Sequence, residues 1–151
     1  MNRMQILLAA VLALSFSMPT SAQESEAYAQ MARATWSAFE CSSLASKAGK
    51  PEEQQRLFLY GYEQGKQFIA ALQAGKVDQK DLSSEAPLIV LLLLQGPSPD
   101  FMLGRIFESS QKSVLRDVFT VGRHYNSDEE QKVTADNKFW KLSCQLIGSG
   151  R

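Results

Sequence analysis

A helical pattern is clearest in ESEAYAQMARATWSAFECSSLASKA, residues 24–48, which contain neither proline nor glycine. Mostly small residues recur here at spacings of four and three, which is the period of one helix face. They are Ala27, Met31, Ala34, Ala38, Cys41, Ala45 and Ala48. Small side chains allow a second helix to approach closely. The pattern therefore predicts a first helix whose stripe, including Cys41, faces a neighbouring helix.

The first 22 residues have the composition of a secretory signal peptide. Arg3 makes the start basic, residues 6–16 are apolar apart from one serine, and small residues end at Ala22. This apolar run is shorter than the roughly 20 residues that span a bilayer, which disfavours the alternative of a retained membrane anchor. We expect cleavage after Ala22, leaving residues 23–151 as a single helical domain without a membrane span. The domain would be periplasmic, or secreted if the cell has no outer membrane.

Cys41 and Cys144 are the two cysteines of the chain, one near each end of the predicted domain. Export would bring them to an oxidising compartment, so we predict one disulfide that joins the first helix to the last. Closing a loop of about 100 residues is worth at most about 4–5 kcal/mol. A cysteine nucleophile with His124 as base is the alternative, and it needs a free thiolate. Two cysteines and one histidine without paired spacing do not predict a metal site.

The second helix is predicted over residues 51–74, with Gly61 and Gly65 on its inner face. Each interior glycine costs a helix about 1 kcal/mol relative to alanine, so something should compensate. In one interpretation the glycines pack closely against the first helix. In the other they form the floor of a groove that receives a ligand or partner segment. The groove would be flanked by Tyr60, Tyr62 and Phe58.

Residues 86–94, APLIVLLLL, form the longest apolar run of the predicted domain. Their richness in leucine favours a helix buried on all sides, with a buried strand as the alternative. The polar residues 75–85 before them are predicted to be a loop that ends in a helix cap at Ser83 or Ser84. We therefore expect the other helices to surround residues 86–94.

Two further helices are predicted towards the C-terminus. Ser98 caps the first, with Pro99 in its opening position, and this helix either bends or divides near Ser110. A capping box of Ser127 and Glu130 opens the last helix. Its inward face is predicted to hold Val133, Asn137, Trp140, Cys144 and Ile147. These elements predict an all-α fold, a single-domain helical bundle of five or six helices around the buried apolar segment.

Several classes of function lack their sequence signals. The chain has 16 basic and 16 acidic residues without a basic cluster, which disfavours nucleic acid as a partner. No glycine-rich phosphate loop and no GxSxG motif occurs, and no pair of carboxylates stands out as acid and base. His124 lies in a polar turn and is interpreted as a surface residue. We therefore predict no catalytic residue, no metal and no cofactor.

The sequence favours an exported, non-enzymatic binding protein that recognises a protein partner or a small ligand. Immunity, inhibitor and chaperone-like proteins share this format, but no residue motif links the chain to any of them. The alternatives are a cell-envelope hydrolase that uses a carboxylate acid/base pair and a homodimer formed through exposed apolar surface.

Four residues are candidates for binding a partner. Tyr60 and Tyr62 flank the predicted groove, and Asp100 and Arg105 follow the rigid turn that opens a helix. The alternative interpretation of the charged residues is a solvated face with ion pairs at helical spacing, each worth a few tenths of a kcal/mol. Those pairs would be Arg105 with Glu108, and Glu108 with Lys112.

Overall fold

The computed structural model describes residues 21–150 and is helical over most of that range. Six α-helices and one small hairpin confirm the predicted all-α, single-domain class. The predicted signal peptide lies outside the described residues except for its last two. Within them, no helix combines the length and apolarity needed to cross a membrane.

The elements follow one another through short connections. The helices are α1 (Ser21–Ala48), α2 (Pro51–Gln73), α3 (Gln79–Glu85), α4 (Leu88–Leu93), α5 (Pro99–Phe119) and α6 (Asp128–Lys141). A hairpin of β1 (Thr120–Val121) and β2 (His124–Tyr125) joins α5 to α6, and a 3₁₀ turn over Cys144–Leu146 follows α6.

Helix α1 is the centre of the fold, because α2, α3, α5 and α6 all contact it. The predicted stripe is correct in its second half, where Ala38, Cys41 and Ala45 are buried. In the first half, Ala27 is exposed, and the helix buries a different face, the one that contains Ser25. The Ser25 hydroxyl donates a hydrogen bond to the carboxylate of Asp81 on α3 and accepts one from the backbone N–H of Asp78. A polar anchor therefore orients this end of α1, which an apolar pattern does not reveal.

The two interior glycines of α2 lie against α1, which confirms the predicted close packing. A Cβ atom built on Gly61 would lie 3.0 Å from Cβ of Ala38 and 2.9 Å from the ring of Phe39. One built on Gly65 would lie 3.1 Å from Cγ2 of Thr35. Side chains at either position would force the helices apart.

The core has two parts, both built on α1. One part surrounds the disulfide, and its largest buried side chains are Leu44, Leu57, Val118 and Phe139. The other lies between α1, α2 and α5 and contains Phe39, Phe68, Ile69, Leu103 and Ile106.

The prediction that residues 86–94 form the buried centre is wrong. The segment is helical, but only Val90 is fully buried, while Leu88 and Leu92 are 70% and 58% exposed. Helix α4 has six residues and packs one side against the second part of the core, so its opposite side faces outwards. The polar segment before it is also not a loop throughout, because residues 79–85 form α3.

The helix caps predicted at Ser98 and Ser127 are present, whereas the cap predicted at Ser83 or Ser84 is wrong, because both serines lie within α3 and Pro87 precedes α4. The Ser98 side chain accepts from the Phe101 N–H at the start of α5, which runs as one helix through the buried Ser110. Ser127 and Glu130 form the reciprocal capping box of α6.

The predicted inward face is correct at Cys144, which is fully buried, but wrong along α6 itself, where Asn137 is exposed and Val133 and Trp140 are 57% and 53% exposed. The buried residues are Gln131, Ala135 and Phe139. Helix α6 ends at Lys141, and Ser143 then adopts a left-handed φ of 54°. Because the helix ends before Cys144, the residues of α6 that lie three or four positions apart along the line leading to Cys144 do not share its buried face.

The predicted disulfide between Cys41 and Cys144 is confirmed, with Cα atoms 5.5 Å apart. The adjoining C-terminal segment is also held by Arg56 of α2, whose guanidinium donates to the carbonyl oxygens of Ile147 and Cys144. Glu53 pairs with the same guanidinium at 2.8 Å. The disulfide and Arg56 therefore bind the C-terminus to α1 and α2.

Replacing Gly61 by alanine should destabilise the protein by about 1–2 kcal/mol. Overpacking against Ala38 and Phe39 costs about 1–3 kcal/mol, and the better helix propensity of alanine returns up to about 1. Gly104→Ala is the control, since a Cβ at this helical position meets nothing within 4 Å. It should stabilise by about 0.5–1 kcal/mol in urea unfolding. Equal effects of the two variants would contradict the close packing.

Replacing both cysteines by alanine should lower the free energy of unfolding by up to about 4–5 kcal/mol. The disulfide joins residues 103 apart in sequence and restricts the unfolded chain accordingly. Urea unfolding of the variant and of the oxidised parent measures the loss, and reduced parent protein should match the variant. A difference below about 1 kcal/mol would show that the helix contacts suffice without the bond.

Candidate functional site

A small cavity of about 140 Å³ opens between α2 and α5. It is more enclosed than the wider, shallower concavities elsewhere on residues 21–150. Phe39 of α1 and Leu103 of α5 are its deepest residues, 1% and 2% exposed. We call the cavity the aromatic pocket. Its lining residues are Phe39, Phe58, Tyr62, Asp100, Leu103, Gly104 and Phe107.

Four aromatic rings make most of the pocket wall. Phe58 stacks on Phe39 at a centroid distance of 5.6 Å and on Tyr62 at 6.2 Å. Phe107 stands nearly perpendicular to both Phe39 and Phe58, at 5.3 Å from each. Stacked and edge-to-face pairs of this kind stabilise one another beyond their buried area. The wall is therefore a preformed apolar surface.

The polar feature of the pocket is a pair of residues at its rim. The Tyr62 hydroxyl donates to Oδ1 of Asp100 at 2.7 Å, joining α2 to the first turn of α5. This hydrogen bond raises the pKa of Tyr62 above its ordinary value, because it stabilises the neutral phenol next to a carboxylate. The pair fixes an exposed negative charge beside an apolar cavity.

The structure brings together Tyr62 and Asp100, which are two of the four predicted partner-binding residues. Tyr60 and Tyr62 are two positions apart and point about 200° apart around α2. Tyr60 instead contacts the C-terminal segment at Gly148, in a shallow concavity that Arg33 also lines. Arg105 is not in the pocket either. Its guanidinium donates to the carbonyl oxygen of Gln95 at 2.7 Å, which holds the end of α4 against α5.

The predicted ion pairs of Arg105 with Glu108 and of Glu108 with Lys112 do not form within residues 21–150. His124 is a surface residue, as expected, with its side chain 71% exposed and 3.8 Å from the Glu130 carboxylate. Glu130 is already occupied by the capping box.

Sequence reasoning placed Phe58 and Tyr62 at a groove but missed its other wall. Phe107 and Leu103 of α5 and Phe39 of α1 form that wall, and none of them was among the predicted partner-binding residues. The available signal was Gly104, a glycine within an amphipathic helix. It is exposed here, and a Cβ on it would enter open space.

The hydrolase alternative requires a carboxyl group with a shifted pKa that can act as acid or base, and Glu40 meets the first part of that requirement. Burial raises the pKa of Glu40 on α1, although a hydrogen bond from Trp36 and the charge of Lys138 oppose the shift. Glu40 does not line the aromatic pocket or the wider concavities above. An acid or base needs access to substrate, so the raised pKa alone does not define an active site.

The described residues contain no cluster of three or more potential metal ligands. Comparison with known proteins gives no match at the level of family models, curated proteins or solved structures.

Replacing Glu40 by glutamine should raise the free energy of unfolding at pH 7. The folded state binds the Glu40 proton more tightly than the unfolded state does, so the parent loses stability as pH rises through the folded pKa. The gain should vanish near pH 3, below the ordinary value of 4.5. Glu108→Gln, at an exposed position in the middle of α5, is the control for the loss of one negative charge. Urea titrations at both pH values measure the difference, and a loss of stability at pH 7 would contradict the assignment.

Proposed function

We propose that this is an exported binding protein that recognises a ligand or protein partner by taking one small group into the aromatic pocket. The pocket itself carries the proposal. A preformed, mostly apolar cavity with a single charged residue at its rim is the usual form of a recognition site.

The volume of the pocket limits what enters it. Sites for whole drug-sized ligands enclose about 300–1,000 Å³, whereas an apolar cavity of about 150 Å³ holds one benzene. A cavity of about 140 Å³ therefore suits one side chain of a partner or one terminal group of a ligand. The rest of the bound molecule would lie across the exposed surfaces of α2 and α5.

The free energy expected from filling the pocket agrees with one small group inside it and the rest of the bound molecule outside. Burying one side-chain-sized apolar group contributes about 1.5–3 kcal/mol, which is roughly a 10- to 150-fold gain in affinity. This is the contribution of an anchor residue at the centre of an interface, and it requires neighbouring contacts for specificity. Asp100 and Gly104, both exposed at the rim, are positioned to make them.

Export to the periplasm or the cell exterior is part of the proposal. The signal-like residues 1–22 support it, and a disulfide joining α1 to the C-terminal segment is the kind of bond that persists in oxidising compartments.

Blocking the pocket should abolish recognition without unfolding the protein. Gly104→Leu adds a side chain at the pocket mouth, where a Cβ meets no atom within 4 Å. Ser113→Leu is the matched control, because it adds the same exposed leucine about 180° around α5. The oxidised parent and both variants would serve as baits in cell-envelope extract, with gel analysis for proteins and mass spectrometry for small molecules.

We expect a stoichiometric protein or compound to bind the parent and Ser113→Leu and to be lost with Gly104→Leu. Circular dichroism and thermal unfolding would show that all three baits are folded. Identical material on all three baits, or none on any of them, would overturn the proposal.

A further inference from the structure

The chemistry of the aromatic pocket narrows the class of group that it accepts. Taking the pocket as the recognition site, we propose that it binds a methylated or quaternary ammonium group. The inference rests on the proposed function and on three properties of the pocket, namely its aromatic wall, its small number of side-chain hydrogen-bond acceptors and its rim carboxylate.

The aromatic wall attracts cations. Aromatic ring faces carry partial negative charge, and a cation within about 6 Å of a ring centroid gains about 0.5–2 kcal/mol, depending on how far it is desolvated. The Tyr62 ring already has a cation of its own helix beside it, since Nζ of Lys66 lies 5.5 Å from its centroid. Phe39, Phe58 and Phe107 present further ring surface to the cavity.

Because the pocket has few hydrogen-bond acceptors, it favours cations that have no N–H donors. A primary ammonium has three N–H donors, and each donor left without a partner on burial costs about 1–3 kcal/mol. Asp100 supplies the only side-chain acceptor among the lining residues apart from the Tyr62 hydroxyl, which already donates to it. A quaternary ammonium has no N–H donor. It therefore keeps its charge in such a pocket without leaving a donor unsatisfied.

The rim carboxylate favours a charged group over an uncharged one of the same shape. Oδ1 of Asp100 accepts from Tyr62, and Oδ2 makes no hydrogen bond within the described residues. The negative charge is thus held in place at the pocket mouth. A neutral hydrocarbon group would fill the same space without using this charge.

The test compares choline with 3,3-dimethyl-1-butanol, its uncharged carbon isostere. Titrations would follow the Leu103 methyl and Gly104 amide NMR signals of the oxidised protein. We expect choline to bind about tenfold more tightly than 3,3-dimethyl-1-butanol, a difference of about 1.4 kcal/mol to which the rings and the Asp100 charge both contribute. Asp100→Asn retains an acceptor for Tyr62 and should reduce this preference without abolishing it, because the rings remain. Gly104→Leu should weaken both probes, and Ser113→Leu should leave both unchanged.

Equal affinities, a preference for the alcohol or no binding of either probe would overturn the ammonium assignment. The bait experiment is independent of it. If Gly104→Leu loses its partner while the charged probe has no advantage, the proposed function stands and the ammonium inference fails. If the three baits recover the same material, the proposed function fails whichever probe binds.

A third probe separates the two sources of such a group. A peptide containing trimethyllysine would bind at least tenfold more tightly than choline if the natural group belongs to a protein partner. Comparable affinities would assign it to a small molecule. Either result supports the ammonium class.

Discussion

The contact between α1 and α2 is the constraint on which the rest of the structure depends. Gly61 and Gly65 bring the backbone of α2 close to α1, because a Cβ on Gly61 would meet Phe39 and Ala38, and one on Gly65 would meet Leu103 of α5 as well as Thr35 of α1. This contact fixes where Phe58 and Tyr62 of α2 stand relative to Phe39 of α1. The helix-propensity cost of two glycines is thereby offset by packing.

The aromatic pocket follows from that arrangement. Helices α2 and α5 both pack on α1, and they meet each other over a much smaller contact. Where α5 carries Gly104, the two helices leave a gap that side chains do not fill. The Tyr62–Asp100 hydrogen bond crosses the gap at its rim. The aromatic pocket is therefore a gap in the packing between α2 and α5, and its walls are aromatic rings that the core holds in position.

Local signals in the sequence were sufficient for the long helices, for two of the three predicted caps and for the disulfide, but they missed α3. The caps at Ser98 and Ser127 depend on a few neighbouring residues, and the cysteine pairing had one solution. Burial was harder, because it depends on which helix becomes the centre. Residues 86–94 are the most apolar run, yet α4 is too short to be surrounded, whereas the alanine-rich α1 contacts four helices.

The residues of the aromatic pocket were partly predictable for the same reason. Tyr62 was identified from its place beside the α2 glycines, and Asp100 from its place in the first turn of α5. Their hydrogen bond joins residues 38 apart in sequence and depends on how α2 and α5 pack. Tyr60 and Arg105 are close to them in sequence and are directed elsewhere, to the C-terminal segment and to the end of α4.

Gly104 has a consequence for how this scaffold can change. Gly104 lines the pocket, and a Cβ introduced there meets no atom within 4 Å. Substitution at this one exposed residue can therefore change the shape of the pocket mouth, while the interior that supports the pocket stays as it is.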